Sequence, residues 1–318
     1  MRTVAVDILT GFLGSGKTTL LRHALEHGLR GKPVAIIMNE IGDIGIDGPV
    51  LTGFSAVEKM VELSSGCICC TIDEYRFDLA IQEILAAVHP HVLVIETTGL
   101  ADPAALVERV RAAGLGVDAI ITVVDAANLD RHCANSRVAR RQIAAADFVV
   151  MNKIDLVDER QLARVERQVR RIAPRAERFR SVHGAVDSDL LFATGVATWR
   201  ERARAGGERH KHLHEDGIGS FVWRSAAPVD EAGFERLLLR LPSDILRAKG
   251  IVRFAGREWQ CLCNFTCGRH DLTWIKLPEW QESQMVFIGR RLERHRPRIE
   301  AALTGCLREP ASYEATGG

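Results

Sequence analysis

The stretch Gly11-Phe12-Leu13-Gly14-Ser15-Gly16-Lys17-Thr18 constrains this chain more than any other. It fits the pattern G-x-x-x-x-G-K-[ST], and its surroundings match what that pattern needs. The run Val4 to Leu9 before it is short and mostly apolar, as in a buried strand. After it, Leu20, Leu21, Ala24 and Leu25 recur at helical spacing between Lys17 and Leu29. Strand, glycine turn and helix in that order let backbone N–H groups turn inward around phosphate oxygens, and the helix N-terminus adds its partial positive charge. Gly11, Gly14, Ser15 and Gly16 are thus expected to line a phosphate site. Lys17 is expected to reach the β- and γ-phosphates, and the Thr18 hydroxyl to ligate Mg²⁺. The spacing is not G-x-G-x-x-G, which disfavours a dinucleotide fold.

The rest of the first half continues as strands and helices in alternation. Val34–Met38, Val92–Ile95, Ile120–Val124 and Phe148–Met151 are further apolar runs, and Phe77, Ala80, Ile81, Ile84, Leu85 and Val88 form a helical stripe ending before Pro90. Continuous apolar strands separated by helices predict an α/β fold with a mostly parallel sheet flanked by helices. Near residue 190 the pattern changes. Residues 191–216 are rich in His, Arg and Gly and read as a linker between a domain at 1–190 and a smaller α+β domain at 217–318. In the latter, strands are expected around Phe221–Trp223, Ile251–Phe254, Trp259–Phe265, Leu272–Leu277 and Met285–Ile288, with helices near 230–241 and 293–303.

Three more segments belong with the phosphate loop. Asn152-Lys153-Ile154-Asp155 follows a buried strand. A carboxylate at Asp155 can accept hydrogen bonds from the ring N–H and the exocyclic amine of guanine. Adenine has no such donor pair, so the wrong base leaves a charge unpaired. Asn152 is expected to support the loop and the purine edge, with the Lys153 stem along the base plane. Glu96, ending the strand before Thr97-Thr98-Gly99, is the expected acidic group near Mg²⁺ and the γ-phosphate, and Gly99 offers a backbone N–H to that phosphate. Taken alone, Glu96 and Gly99 would read as a strand-end carboxylate and a turn glycine. The loop from Asn39 to Asp47 holds two glycines and the acids Glu40, Asp43 and Asp47. It is read as a switch that orders around the γ-phosphate. Asp43 is the candidate for Mg²⁺ or water positioning, with a solvated loop carboxylate as the alternative.

Of eight cysteines, six fall in two clusters. Cys67, Cys69 and Cys70 place three sulfurs within four residues. Soft thiolates suit Zn²⁺ and related ions, whereas Mg²⁺ takes oxygen ligands. Three thiolates leave a fourth position open, which a carrier needs if it is to unload. A buried cysteine cluster or a redox dithiol are the other readings. Cys261, Cys263 and Cys267 share one strand face if the strand runs unbroken, and read first as core packing; a second metal site with His270 is the alternative. His210, His212 and His214 alternate in the linker, either as a metal relay or as solvated residues. The arginines around Arg137–Arg141 and Arg164–Arg171 fall on helical spacing and read as solvated faces.

A net charge of +1, 26% charged residues and no apolar run of bilayer length exclude a nucleic-acid footprint and a membrane span as expectations. The phosphate loop begins so near Met1 that no cleavable leader is expected, and a cytoplasmic location is the default.

Together, Gly11 to Thr19, Asn39-Glu40, Gly66-Cys67-Ile68-Cys69-Cys70, Glu96 to Pro103 and Asn152 to Asp155 resemble the CobW family of P-loop GTPases in order and spacing. Leu246 to Gly250 and Phe287 to Arg290 extend the resemblance over nearly the whole chain. The resemblance implies a SIMIBI-class GTPase domain with Thr19 in the nucleotide set, binding of GTP or GDP, and slow GTP hydrolysis. It implies transition-metal ligands at Cys67, Cys69 and Cys70, with Glu40 a possible addition. Transfer of zinc to a client metalloprotein, cobalt handling for cobalamin or nitrile hydratase, and a nucleotide-dependent homodimer are the implied roles. Two departures stand out: Asp at 43 where the family often has Glu, and a short histidine stretch. A GTP-dependent regulatory or scaffold protein with structural or redox cysteines is the competing class.

Overall fold

The computed structural model describes residues 4–29, 32–40, 51, 53–64, 74–99, 101–192, 218–276 and 282–308. The chain divides near residue 194 into two compact units, each described by itself.

The first unit is built on seven strands: β1 (Ala5–Thr10), β2 (Val34–Glu40), β3 (Val57–Ser64), β4 (Val92–Glu96), β5 (Val117–Asp125), β6 (Phe148–Asn152) and β7 (Glu177–Arg180). They lie in the order β3-β2-β4-β1-β5-β6-β7, and every pairing is parallel. The reason is in the side chains: β1, β4, β5 and β6 are buried along their whole length, which requires cover on both faces. The helices supply that cover: α1 (Lys17–Glu26), α2 (Glu74–Ala87), α3 (Pro103–Ala112), α4 (Leu129–Asn135), α5 (Arg137–Ala144), α6 (Glu159–Ile172) and the short α7 (Ser188–Leu191). Val6, Ile8, Ile37 and Ile95 pack with Phe77, Ile81 and Ile84 of α2 and Leu106 of α3. Val149 and Met151 pack with Leu129, Cys133, Ile143, Val165 and Val169. The α/β fold with a mostly parallel sheet is therefore the observed one.

Two strands, β3 and β7, carry little apolar signal, and the sequence pattern missed them. Both are outermost in the sheet. β3 mixes Glu58, Lys59 and Glu62 with its apolar residues, and β7 reads Glu-Arg-Phe-Arg with Phe179 alone buried. Charged side chains on edge strands are one way sheets avoid further pairing. At the end of this unit Leu191 and Phe192 are fully buried, inside the segment expected to begin a linker; from residue 193 to 217 that segment lies outside the described residues.

The second unit is an antiparallel sheet of β8 (Ile218–Ser225), β9 (Ile245–Arg253), β10 (Gln260–Thr266), β11 (Arg269–Ile275) and β12 (Ser283–Arg290), in the order β11-β10-β9-β12-β8. Helices α8 (Glu231–Leu239) and α9 (Leu292–Gly305) pack on it. Alternation sets the core: Cys261, Cys263 and Phe265 of β10 join Phe221, Trp223, Phe287, Phe234 and Leu303. Cys267 would share this face only if the strand ran unbroken, and it does not. β10 ends at Thr266, which pairs with Arg269, so Cys267 and Gly268 form a two-residue turn with φ of 47 and 92. Positive φ at both positions matches the twist of a right-handed hairpin, and Gly268 supplies it without strain.

Candidate nucleotide site

A parallel sheet puts the C-terminal ends of its strands on one edge, where ligands of such folds bind. Here β4, β5 and β6 end at Glu96, Asp125 and Asn152, and β1 ends at Thr10, at the mouth of the phosphate loop.

That loop runs from Gly11 into α1. Gly16 caps α1 with φ 101 and ψ 32, a conformation that side chains rarely adopt, and a Cβ there would also collide with the Asn152 amide. No side chain caps α1, and its first turn holds no acidic residue. By contrast, Asp102, Ser136, Asp158 and Asp230 cap α3, α5, α6 and α8 with their own oxygens. A helix start with glycine at its cap and no acid in its first turn suits an anion. Ser15 lies in the same cradle, fully buried, and its hydroxyl has no hydrogen-bond partner among the described residues. Lys17 Nζ donates to the Gly11 carbonyl at 3.1 Å, lying over the loop it serves. Thr19 is half-buried in the first turn of α1.

The Thr18 hydroxyl donates to Glu96 Oε1 at 2.9 Å. Two hard oxygen donors therefore meet at the start of α1, a pairing that fits Mg²⁺. Next to them Thr97 bonds across to β1, its N–H to the Leu9 carbonyl at 2.9 Å and its hydroxyl to that of Thr10 at 2.9 Å. Gly99 then passes so close to the phosphate loop that a Cβ would sit 2.5 Å from the Leu13 nitrogen and 2.6 Å from its Cγ. The glycine at 99 is needed for this approach, which holds its backbone beside the loop.

A residue absent from the sequence reading anchors that turn. Gln142 of α5 is fully buried, and its Nε2 donates to the carbonyls of Gly99 at 3.2 Å and Ala101 at 3.1 Å. Its backbone carbonyl accepts from the Thr122 hydroxyl of β5 at 2.8 Å. The available signal was an uncharged amide beside Ile143 on the core-facing side of a helix whose other face is arginine.

The loop that follows β6 divides its labour. Asn152 is buried; its Nδ2 donates to the Ser15 carbonyl at 3.0 Å and its Oδ1 accepts from the Gly184 N–H at 3.1 Å. Lys153, at φ 61, donates to the Gly14 carbonyl at 2.7 Å and to Asp125 at 2.8 Å. Both residues thus brace the phosphate loop from β6. Asp155 stands exposed in the 3₁₀ turn Ile154–Leu156. Asp125 also escaped notice in the sequence. Burial pushes its carboxyl up. The hydrogen bonds from Lys153 and Asn128, the Lys153 charge and the Ala127 N–H outweigh that and hold it below the usual carboxylate range. His132 of α4 packs at a tilt against Phe12 of the loop with ring centroids 4.5 Å apart; burial lowers its pKa and favours the neutral ring.

The thiolates Cys67, Cys69 and Cys70 lie outside the described residues, as do Asp43 and the histidines His210, His212 and His214. Glu40 is placed by its backbone: it ends β2 and pairs with Ser64, the last residue of β3. The last residues of β2 and β3 therefore lie side by side at one level of the sheet. Among the described residues no group of three or more His, Cys, Asp or Glu comes together to hold a metal, which removes the alternative of a site at Cys261, Cys263, Cys267 and His270. Also among the described residues, no helix is long and apolar enough to cross a membrane.

A glycine-turned anion cradle on the central strand of a parallel sheet, with a Thr–Glu oxygen pair beside it, defines a P-loop nucleotide-binding protein. The chain belongs to the CobW/HypB/UreG nucleotide-binding family, whose model matches residues 5–180. Residues 218–307 match the C-terminal domain of the cobalamin synthesis protein cobW. The chain is 30% identical to the zinc chaperone CobW of Sinorhizobium sp, over 96% of this chain and 97% of that one. It is 31% identical to the zinc chaperone YjiA of Escherichia coli K12, over 96% and 99%. The zinc-regulated GTPase metalloprotein activator 1 of Schizosaccharomyces pombe is 36% identical over 59% of this chain and 48% of its own length.

Proposed function

We propose that this protein is a GTP-dependent metallochaperone that carries zinc at Cys67, Cys69 and Cys70, with Glu40 as a further ligand, and passes it to a client metalloprotein in the cytoplasm. The observation that carries the nucleotide half is the uncapped, glycine-turned start of α1 with Thr18 and Glu96 joined beside it. The zinc half is supported by three thiolates within four residues and by the names of the full-length relatives.

The α1 amides and Lys17 hold the phosphates and neutralise charge that builds on them during transfer to water. Asp155 selects guanine by accepting from its two N–H donors. Glu96 and the Gly99 N–H face the γ-phosphate end, and Asp43 positions the attacking water. Thr18 and Glu96 would hold Mg²⁺, which supplies charge neutralisation at the phosphate oxygens. Hydrolysis releases the loop that follows Glu40. Since the strands that precede that loop and the cysteine segment in the chain are paired to their ends, the change alters how tightly the sulfurs hold their ion. Coupling of this kind requires different metal affinities in the two nucleotide states. By the same family resemblance, the GTP-bound form pairs as a homodimer.

Zinc affinity measured with a non-hydrolysable GTP analogue and with GDP tests the coupling, in wild type and in a Cys67→Ser/Cys69→Ser/Cys70→Ser variant. The expectation is a state-dependent affinity in wild type that vanishes in the variant. Equal affinities in both states would sink the coupling, and unchanged zinc content in the variant would sink the site. Cobalt measured in parallel decides between the two cargoes.

A further inference from the structure

Arg140 of α5 and Arg164, Arg167 and Arg171 of α6 surround a concavity of about 420 Å³, and all four are exposed. In the sequence they belong to two separate runs that read as solvated helix faces. The packing of α5 against α6 turns them into one basic groove.

The groove is costly for the helix that carries most of it. α6 buries Leu162, Val165 and Val169 on one side. Arg160, Arg164, Arg167 and Arg171 recur on another side at steps of four, three and four, so each repels the next. Some exposed arginines of this unit are paired: Arg180 with Glu166 at 2.8 Å, Arg141 with Asp102 at 3.2 Å, Arg111 with Glu108 at 3.4 Å. Among the described residues Arg164, Arg167 and Arg171 have no such partner. Arg140 is oriented, its Nε donating to the Cys133 carbonyl at 3.0 Å at the end of α4. Ile172, packed on the core, lends the groove an apolar patch, and Asp130 contributes one carboxylate.

We propose that this groove docks an Asp/Glu-rich segment of a partner protein. Guanidinium forks match carboxylates two bonds at a time. A concavity with an apolar patch suits side chains, and Asp130 can accept from backbone N–H groups, which a peptide has and a phosphate chain lacks. A nucleic acid would call for an extended basic field, and the chain as a whole is nearly neutral, at +1. The groove shares no lining residue with the nucleotide site described above, and peptide binding is read without nucleotide or metal.

The probe is a fluorescein-labelled peptide of mixed Glu and Asp, with a Gln/Asn peptide of equal length and a single-stranded oligonucleotide of equal charge beside it. Binding to the full chain is followed by anisotropy at physiological ionic strength. The acidic peptide is expected to bind, and the Gln/Asn peptide not to. Arg164→Glu/Arg167→Glu/Arg171→Glu should weaken binding about tenfold or more, while Arg111→Glu, a paired arginine elsewhere, leaves it unchanged. Circular dichroism and GTP hydrolysis check that the triple variant is folded. Should it not fold, the single variants Arg140→Glu and Arg167→Glu, on different helices, should each weaken binding severalfold. The proposal is overturned if the acidic peptide fails to bind, if the Gln/Asn peptide binds as well, if charge reversal leaves its affinity unchanged, or if the oligonucleotide binds more tightly.

Discussion

The two sheets of this molecule use polar and sulfur-bearing residues in opposite ways. In the parallel sheet the strands β4, β5 and β6 run out into Glu96, Asp125 and Asn152, and each of these is held by bonds that converge on the phosphate loop or its neighbours. In the antiparallel sheet Cys261 and Cys263 sit inside the core between aromatic rings. Burial there pushes the Cys261 thiol up to about 12 and the Cys263 thiol well above its ordinary range. Such thiols stay protonated and act as small apolar groups. The lesson is positional. A reactive residue type becomes a chemical group where strands end on a shared edge, and becomes filler where alternation turns it inward.

The largest expected break in this contrast comes from the loop end. Lys17→Ala should cut GTP hydrolysis by about 10²-fold or more, measured by phosphate release, because a charge facing the transferring phosphate is lost. The melting of the second unit should not move. A change there would mean the two regions are not separable as described.

Cys263→Ser tests the other side. A hydroxyl buried among rings without a partner costs about 1–3 kcal/mol, readable as a lower midpoint in urea, with hydrolysis unaffected. In the native wild type, Cys261 and Cys263 should not react with a thiol reagent at pH 8. The raised Cys261 pKa also has a sign. The neutral thiol is favoured in the folded state, so its contribution is intact below pH 9.0 and is lost as pH rises toward about 12.

Gly99→Ala should be milder than loss of Lys17. The added methyl meets the Leu13 backbone, so the phosphate loop must shift, and nucleotide affinity should fall about tenfold, or about 1.4 kcal/mol, by titration with a fluorescent GTP analogue. An unchanged affinity would show that the loop yields and that the close approach is incidental.

The smallest effect concerns Asp125. Its pKa is lowered in the folded state, so the stability it contributes is present above the unfolded carboxylate value and is lost as pH falls through the folded one. Lys153 is partly exposed, so Asp125→Asn should cost about 1 kcal/mol or less at neutral pH and flatten the acid limb of the stability curve. A larger loss would place this pair among the supports of the whole unit.

Much of the site was legible beforehand because its parts are contiguous. Lys17 and Thr18 open a helix wherever a glycine turn follows a strand, and Asp155 follows β6 within three residues. Gln142 was illegible, since nothing near it in the chain says that its amide faces Gly99, 43 residues away. Asn152 was legible as a motif but not as the brace that reaches Ser15 across 137 residues. The edge strands β3 and β7 were missed because charged edges carry no apolar run.

The amino-acid order alone determined the α/β class of the first unit, the phosphate loop and the turn that follows β6. Each depends on backbone geometry or on periodic burial that neighbouring residues set between themselves. Tertiary structure alone decided which strand ends share an edge, that Cys267 leaves the core face for a hairpin turn, and that arginines from two helices form one groove. Those outcomes depend on contacts between segments far apart in the chain, and a local pattern holds no record of which distant segment it will meet.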